Sequence, residues 1–301
     1  MLKSLLKKGP IFIIFAAFLW SLDGLLRRNL YSLDPLIVVL YEHIFGAIIL
    51  LPVFLISFKE LSKLNGKQWF SVFWVSLLGG LAGTFLYTTA LSKVGYIEFS
   101  VVVLLQQVQP IFAISMAAIF LKEKIGKNFV FWALIAFIGV YLVSFRDLII
   151  NIDTGKETII AALMALGAAF AWGSSTVFGR MGLLKLSSAQ MSSLRFILTS
   201  IITFIFITFS GKNASIYSMS YSQLLTIIFI TFSTGMVAVL IYYYGLKRTE
   251  AKVSTICEMF WPVSAIALDF FYYNKVLAFT QVIGALILLI SIFQVSRMKK
   301  N

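Results

Sequence analysis

The sequence predicts an all-α integral membrane protein, ten transmembrane helices arranged as two inverted five-helix repeats. Three observations carry this. Of 301 residues, 60% are hydrophobic and only 12% charged, the balance of a polytopic membrane protein rather than a soluble one. Ten apolar stretches, each long enough to approach the thickness of a bilayer as a helix, are joined by short connections. The first half of the chain also returns in the second at an offset near 152 residues.

The stretches run roughly 10–31, 35–57, 68–92, 95–121, 128–147, 157–183, 187–210, 221–246, 252–274 and 277–297. Pro10 and Pro35 open the first two, where a helix has no use for the missing amide hydrogen. The basic start MLKSLLKK followed by an apolar run imitates a signal peptide, but the run is long and nine more follow, so it reads as a retained helix. The third stretch carries Gly79 and Gly83, a small-xxx-small spacing that lets helices approach closely. In the fourth, Gln106, Gln107 and Gln109 crowd the middle just before Pro110. The ninth repeats the device with Glu258 and Trp261 before Pro262. A proline inside a span removes a backbone hydrogen bond and kinks the helix. Hydrocarbon tolerates loosened backbone and amide side chains only where protein or water covers them. The two kinked helices therefore read as one site built twice.

Seventeen Lys and Arg residues fall in loops on one side of the predicted spans and seven on the other. Both termini are thus expected in the cytoplasm, with the chain multi-pass in the cell's inner (cytoplasmic) membrane. The net charge of +13 is a topology signal first, with anionic lipid headgroups as partner, rather than a nucleic-acid footprint.

The repeat divides the chain into 1–150 and 151–301. AAFLW at 16–20 returns as AAFAW at 168–172, Pro110 as Pro262, and VS at 143–144 as VS at 295–296. In the third and eighth stretches the offset is 155, matching Gly80, Tyr87 and Leu91 with Gly235, Tyr242 and Leu246. Five spans per copy is odd, so the second copy enters the membrane from the opposite side. Such folds hold their cargo near the midplane, between the repeats.

Single copies of cysteine (Cys257) and histidine (His43) rule out an intrachain disulfide and a zinc cluster built from those residues. No phosphate-binding loop or dinucleotide fingerprint is present, so no cofactor and no ATP-driven pumping are expected.

Ten helices in two five-helix halves, Trp20 and Trp172 in the first helix of each, and Pro110 and Pro262 in the fourth of each resemble the EamA-type transporters of the drug/metabolite transporter superfamily. The resemblance covers nearly the whole chain. It implies export or exchange of small organic metabolites, with the first four helices of each half lining a cavity. Where the family often has Glu before the helix-four proline, this chain has Gln109 and Trp261. Where it often has Arg in the second helix of each repeat, this chain has Arg195 in one half and Glu42-His43 in the other.

A charge at membrane depth costs roughly 2.5–3.5 kcal/mol on insertion scales and is functional by default. Asp23 and Glu42 lie at similar depth on adjacent helices and could share a proton or hold a cation. Asp23 could equally pair with Arg27 one turn on. His43 titrates near neutrality and is a third proton-coupling candidate, or else a histidine hydrogen-bonded between helices. Arg195 can anchor a carboxylate or phosphate with its fork, or form an internal salt bridge to Glu42 or Glu258. The expected substrate site comprises Trp20, Glu42, Tyr87, Gln106, Gln109, Trp172, Arg195, Tyr242, Glu258 and Trp261. The expected activity is a secondary transporter, an exporter of amino acids or related metabolites. A nucleotide-sugar or lipid-linked carrier of the same superfamily is the alternative. An intramembrane enzyme would need a paired catalytic set that the sequence does not offer.

Overall fold

The computed structural model describes residues 9–30, 32–93, 99–145, 148, 156–211, 218–274 and 276–298, and among these it is helical throughout, with no strand. The first half holds α1 (Gly9–Leu26), α2 (Pro35–Ile56), α3 (Gly66–Trp74) continued through a π-helix (Val75–Ala82) into α4 (Gly83–Ser92), α5 (Phe99–Gln106), α6 (Gln109–Phe120) and α7 (Lys127–Ser144). The second half holds α8 (Lys156–Leu183), α9 (Ser188–Phe209), α10 (Tyr221–Ile230) continued through a π-helix (Thr231–Gly235) into α11 (Met236–Leu246), α12 (Ala251–Glu258), α13 (Phe260–Tyr273) and α14 (Phe279–Ser296). Among the described residues eight helices are long and apolar enough to cross a membrane, and Gly9–Asp23 and Leu104–Phe120 are shorter apolar helices.

Local chemistry sets the helix starts. Asp34 accepts from the Leu36 amide ahead of Pro35. Asn65 with Gln68, Ser187 with Gln190 and Ser220 with Gln223 form capping boxes that satisfy orphan amides at the starts of α3, α9 and α10.

The two halves match beyond the sequence. α6 is followed by Lys122 at φ 58° and α13 by Asn274 at φ 52°, two non-glycine residues in the left-handed region at the same repeat position. Each half has a π-helix in the same long element, where no proline announces it. α10 begins 155 residues after α3, and α12 152 residues after α5, so the connecting loops absorb the slip in offset.

Packing is reciprocal. α1 packs on α11, α12 and α13 of the other half, and α8 packs on α4, α5 and α6 in return. α2 lies against α9 and α7 against α14, each element against its own repeat mate. A two-fold relation produces this pattern. The α7–α14 crossing is close because a β-carbon on Gly139 would lie 2.9 Å from the Leu288 amide nitrogen, and one on Gly284 would lie 2.8 Å from the Gly139 carbonyl. The α2–α9 crossing depends on Gly46, where the Phe196 ring occupies the space a side chain would need.

The fourth and ninth elements are broken rather than gently kinked. α5 stops at Gln106 and α6 restarts at Gln109, with Pro110 in its first turn. α12 stops at Glu258 and α13 restarts at Phe260. Pro110 thus begins a new helix, a position in which its missing donor costs nothing.

The crossing glycines give a first prediction. Gly139→Val or Gly284→Val must push backbone from backbone and should destabilise the protein by about 1–3 kcal/mol. Thermal unfolding of the detergent-solubilised protein checks this. Gly126→Ala, at a helix start where a β-carbon meets open space, should leave the midpoint unchanged.

Candidate functional site

The helix breaks bring polar side chains of both halves together. Gln107 Nε2 donates to Gln106 Oε1 at 3.0 Å, Gln106 Nε2 to Gln109 Oε1 at 2.8 Å, and Gln109 Nε2 to Glu258 Oε2 at 2.7 Å. The other carboxylate oxygen of Glu258 accepts from the Tyr242 hydroxyl at 2.8 Å and from Ser254 Oγ at 3.2 Å. Tyr242 is also 2.9 Å from Thr176 Oγ1. A continuous polar chain therefore runs from the break between α5 and α6 to the break between α12 and α13.

Aromatic pairs flank it with the repeat's symmetry. The Trp20 ring lies 5.1 Å from that of Tyr242, tilted at 54°. The Trp172 ring lies 5.3 Å from that of Tyr87, tilted at 57°. In each pair the tryptophan comes from the first helix of one half and the tyrosine from the third element of the other. Such tilted contacts are favourable orientations for ring quadrupoles. Trp172 and Thr176 are one turn apart on α8, so that helix joins one aromatic pair to the polar chain. Trp261 is half-buried beside the second break.

Arg195 meets neither Glu42 nor Glu258. Its Nη2 donates to the Gly79 carbonyl at 2.9 Å and its Nη1 to the Tyr243 hydroxyl at 3.1 Å, while Nε is buried without a partner. Gly79 lies in the first π-helix, and its carbonyl also accepts from Trp172 Nε1 at 3.3 Å. Ser76, in the same segment, offers its carbonyl to Thr199 at 2.9 Å. A π-helix shifts the ladder of backbone hydrogen bonds and releases carbonyls to side chains.

Asp23 and Glu42 meet on Arg27. The Arg27 Nε pairs with Asp23, its Nη2 lies 2.8 Å from Glu42 Oε2, and Thr234 Oγ1 donates to Asp23 Oδ1 at 2.7 Å. Gly235 leaves the space that Glu42 Oε1 fills, since a β-carbon there would lie 2.7 Å from it. His43 is elsewhere: its Nδ1 is 2.8 Å from the Val39 carbonyl, and its ring stacks on Phe196 at 4.9 Å. Among the described residues no group of three or more His, Cys, Asp or Glu could hold a metal ion.

Thr176, Ser254, Thr234 and Tyr243 were not among the residues expected from the sequence. Ser254, one turn before Glu258, and Thr234, at Gly79's repeat position, carry spacing signals that could have found them. Thr176 and Tyr243 carry none. Glu98 and the side chain of Asp269 lie outside the described residues.

Removing the cation between Asp23 and Glu42 leaves two carboxylates facing each other at partial burial. Arg27→Gln should therefore lower stability by about 3 kcal/mol or more. The double variant R27Q/E42Q, which removes one carboxylate as well, should recover part of that loss in the same thermal-unfolding assay.

The profile of the EamA-like transporter family matches residues 7–145 and again 159–297. Riboflavin transporter ImpX of Fusobacterium nucleatum is 36% identical to this chain, the match covering 97% of this chain and 98% of that protein. An uncharacterized transporter of Clostridium kluyveri is 26% identical, covering 98% and 95%. Protein LicB of Haemophilus influenzae is 27% identical, covering 89% and 90%. A crystal structure of a protein 17% identical superposes with a TM-score of 0.72 over 94% of each chain, a likeness of fold. A family match over both halves and a 36% identical relative along nearly the whole length establish that this chain is a member of the EamA-like transporter family.

Proposed function

We propose that the protein carries a planar, hydroxylated heterocycle of the riboflavin class across the cytoplasmic membrane by alternating access, without covalent chemistry. The observation that carries this reading is the pair of symmetry-related aromatic contacts, Trp20 with Tyr242 and Trp172 with Tyr87, each formed between halves. A flat ring system stacks on such faces, while a polyol tail both donates to and accepts from amides such as Gln106 and Gln109. Trp261, beside the second break, extends the aromatic lining. The identity to a riboflavin transporter supports the same cargo class.

An amino-acid cargo, the expectation from sequence, leans on Arg195 as the carboxylate anchor. Both terminal nitrogens of that side chain are engaged, on Gly79 and Tyr243, which favours an uncharged cargo. The two short apolar helices complete ten spans in this reading, with residues 1–150 and 151–301 as inverted repeats and both termini in the cytoplasm. Export is the direction that the family resemblance implies.

Two measurements test these statements. Proteoliposomes should take up radiolabelled riboflavin saturably, and preloaded vesicles should exchange it. Trp20→Ala and Trp172→Ala should each raise the half-saturating concentration about tenfold, the effect of losing about 1.4 kcal/mol of stacking. Transport of amino acids but not riboflavin would sink the cargo assignment. Reporter fusions after residue 152 and at the C-terminus should report opposite sides of the membrane, and the same side for both would remove the inverted arrangement.

A further inference from the structure

Glu258 differs from the other carboxylates placed at membrane depth. Asp23 and Glu42 share the Arg27 guanidinium. Glu258 receives only neutral donors: the Tyr242 and Ser254 hydroxyls on one oxygen and the Gln109 amide on the other. Among the described residues no Lys, Arg or His lies within ion-pair distance of it. The elements packed on α12 are α1, α6, α8, α11, α13 and α14. Of their titratable groups, Tyr242 of α11 faces Glu258, and α12 itself contributes the buried thiol of Cys257. The charged groups whose side chains are described on or beside these elements are engaged elsewhere: Asp23 on Arg27, Arg180 on the Lys247 carbonyl, Lys252 on Glu250 and the Lys124 carbonyl, Glu157 on Lys93, and Arg297 on the Phe293 ring.

A carboxylate in such a place without a cation is stabilised only by the direction of the dipoles around it, and taking up a proton is its other route to stability. The glutamine chain shows that direction. Gln107, Gln106 and Gln109 each aim an amide N–H one step closer to Glu258. This is the sense an ionised carboxylate imposes. Each amide both donates and accepts and can turn end for end. A protonated Glu258 would instead donate its O–H to Gln109, and the chain would run the other way.

We infer that Glu258 is a reversible proton-binding site, and that its protonation reverses the three-glutamine chain, carrying the event from the helix break of one half to that of the other. No bond other than O–H forms or breaks; the proton adds to the Glu258 oxygen facing Gln109 and leaves from it. That this proton is coupled to cargo rests on the transport reading above. The binding of the proton does not.

Infrared difference spectra of the full chain in liposomes, between alkaline and acidic buffer, read the protonation without any cargo. The wild type should gain a carboxylic-acid C=O band on acidification, with a matching change in the glutamine side-chain bands. The band should be absent from E258Q and present in E42Q. Q109L, which keeps the carboxyl and cuts the chain, should shift the band and abolish the glutamine change, a check that holds even if E258Q folds poorly. In the same liposomes an imposed proton gradient should speed wild-type riboflavin uptake several-fold over its own rate without a gradient, and should leave the E258Q rate unaltered. A band that survives in E258Q, or no titrating carboxyl in the wild type, overturns the proton site. A Glu258-dependent band without any gradient effect on working uptake overturns the coupling. An intact band with no riboflavin uptake supports the proton site and counts against the cargo alone.

Discussion

A helix that crosses hydrocarbon must satisfy every backbone amide and carbonyl within itself, and wherever its ladder is interrupted the freed groups need new partners. Among the described residues the ladder is interrupted within the apolar stretches four times: twice by π-helices and twice by full breaks. The polar architecture follows from the repairs. The carbonyl of Gly79 is met by Arg195 and Trp172, and that of Ser76 by Thr199. The breaks gather Gln106, Gln107, Gln109 and Glu258 into one chain of hydrogen bonds. Side chains that would be costly on a lipid-facing surface become linkages between the halves.

Much of this was legible in the sequence, and what was not has physical causes. The class of fold followed from hydropathy and the repeat from Trp, Pro and Tyr spacing, because both depend on residue type alone. The gathering of the two breaks was foreshadowed by polar residues before both prolines, Glu258 at the repeat place of Gln106, although the residue that meets Glu258 directly is Gln109. The π-helices were not legible, since they contain no proline and their glycines, Gly79, Gly80 and Gly235, read equally well as close-packing positions. The role of Arg195 was hidden for the same reason: its partner is a backbone carbonyl that only a π-helix exposes. Likewise His43 invites a proton-carrying reading on composition, but its ring nitrogen is bonded one turn back along its own helix, to Val39.

Charge is distributed with economy at membrane depth. Arg27 serves two carboxylates, one of them also held by Thr234 of the opposite half. Arg195 is held by a carbonyl dipole and a phenol rather than by an anion. Glu258 is held by neutral donors. Each group also takes one partner from the other repeat, Asp23 from Thr234, Arg195 from Gly79 and Glu258 from Gln109, beside partners in its own half. The α7–α14 pair meets mainly through Gly139 and Gly284, with Gln281 Nε2 donating to the Val143 carbonyl at 3.2 Å at one end of the crossing.

The crossing of first helices has a consequence for biogenesis. α1 finds its main partners in α11, α12 and α13, and its aspartate finds Thr234. All of these are synthesised more than 200 residues after it begins. Until then α1 lacks its main packing partners, and Asp23 has Arg27 as its neighbour within reach. The two halves therefore complete their packing together rather than as successive domains, since α1 gains its main partners only when the last third of the protein has been made.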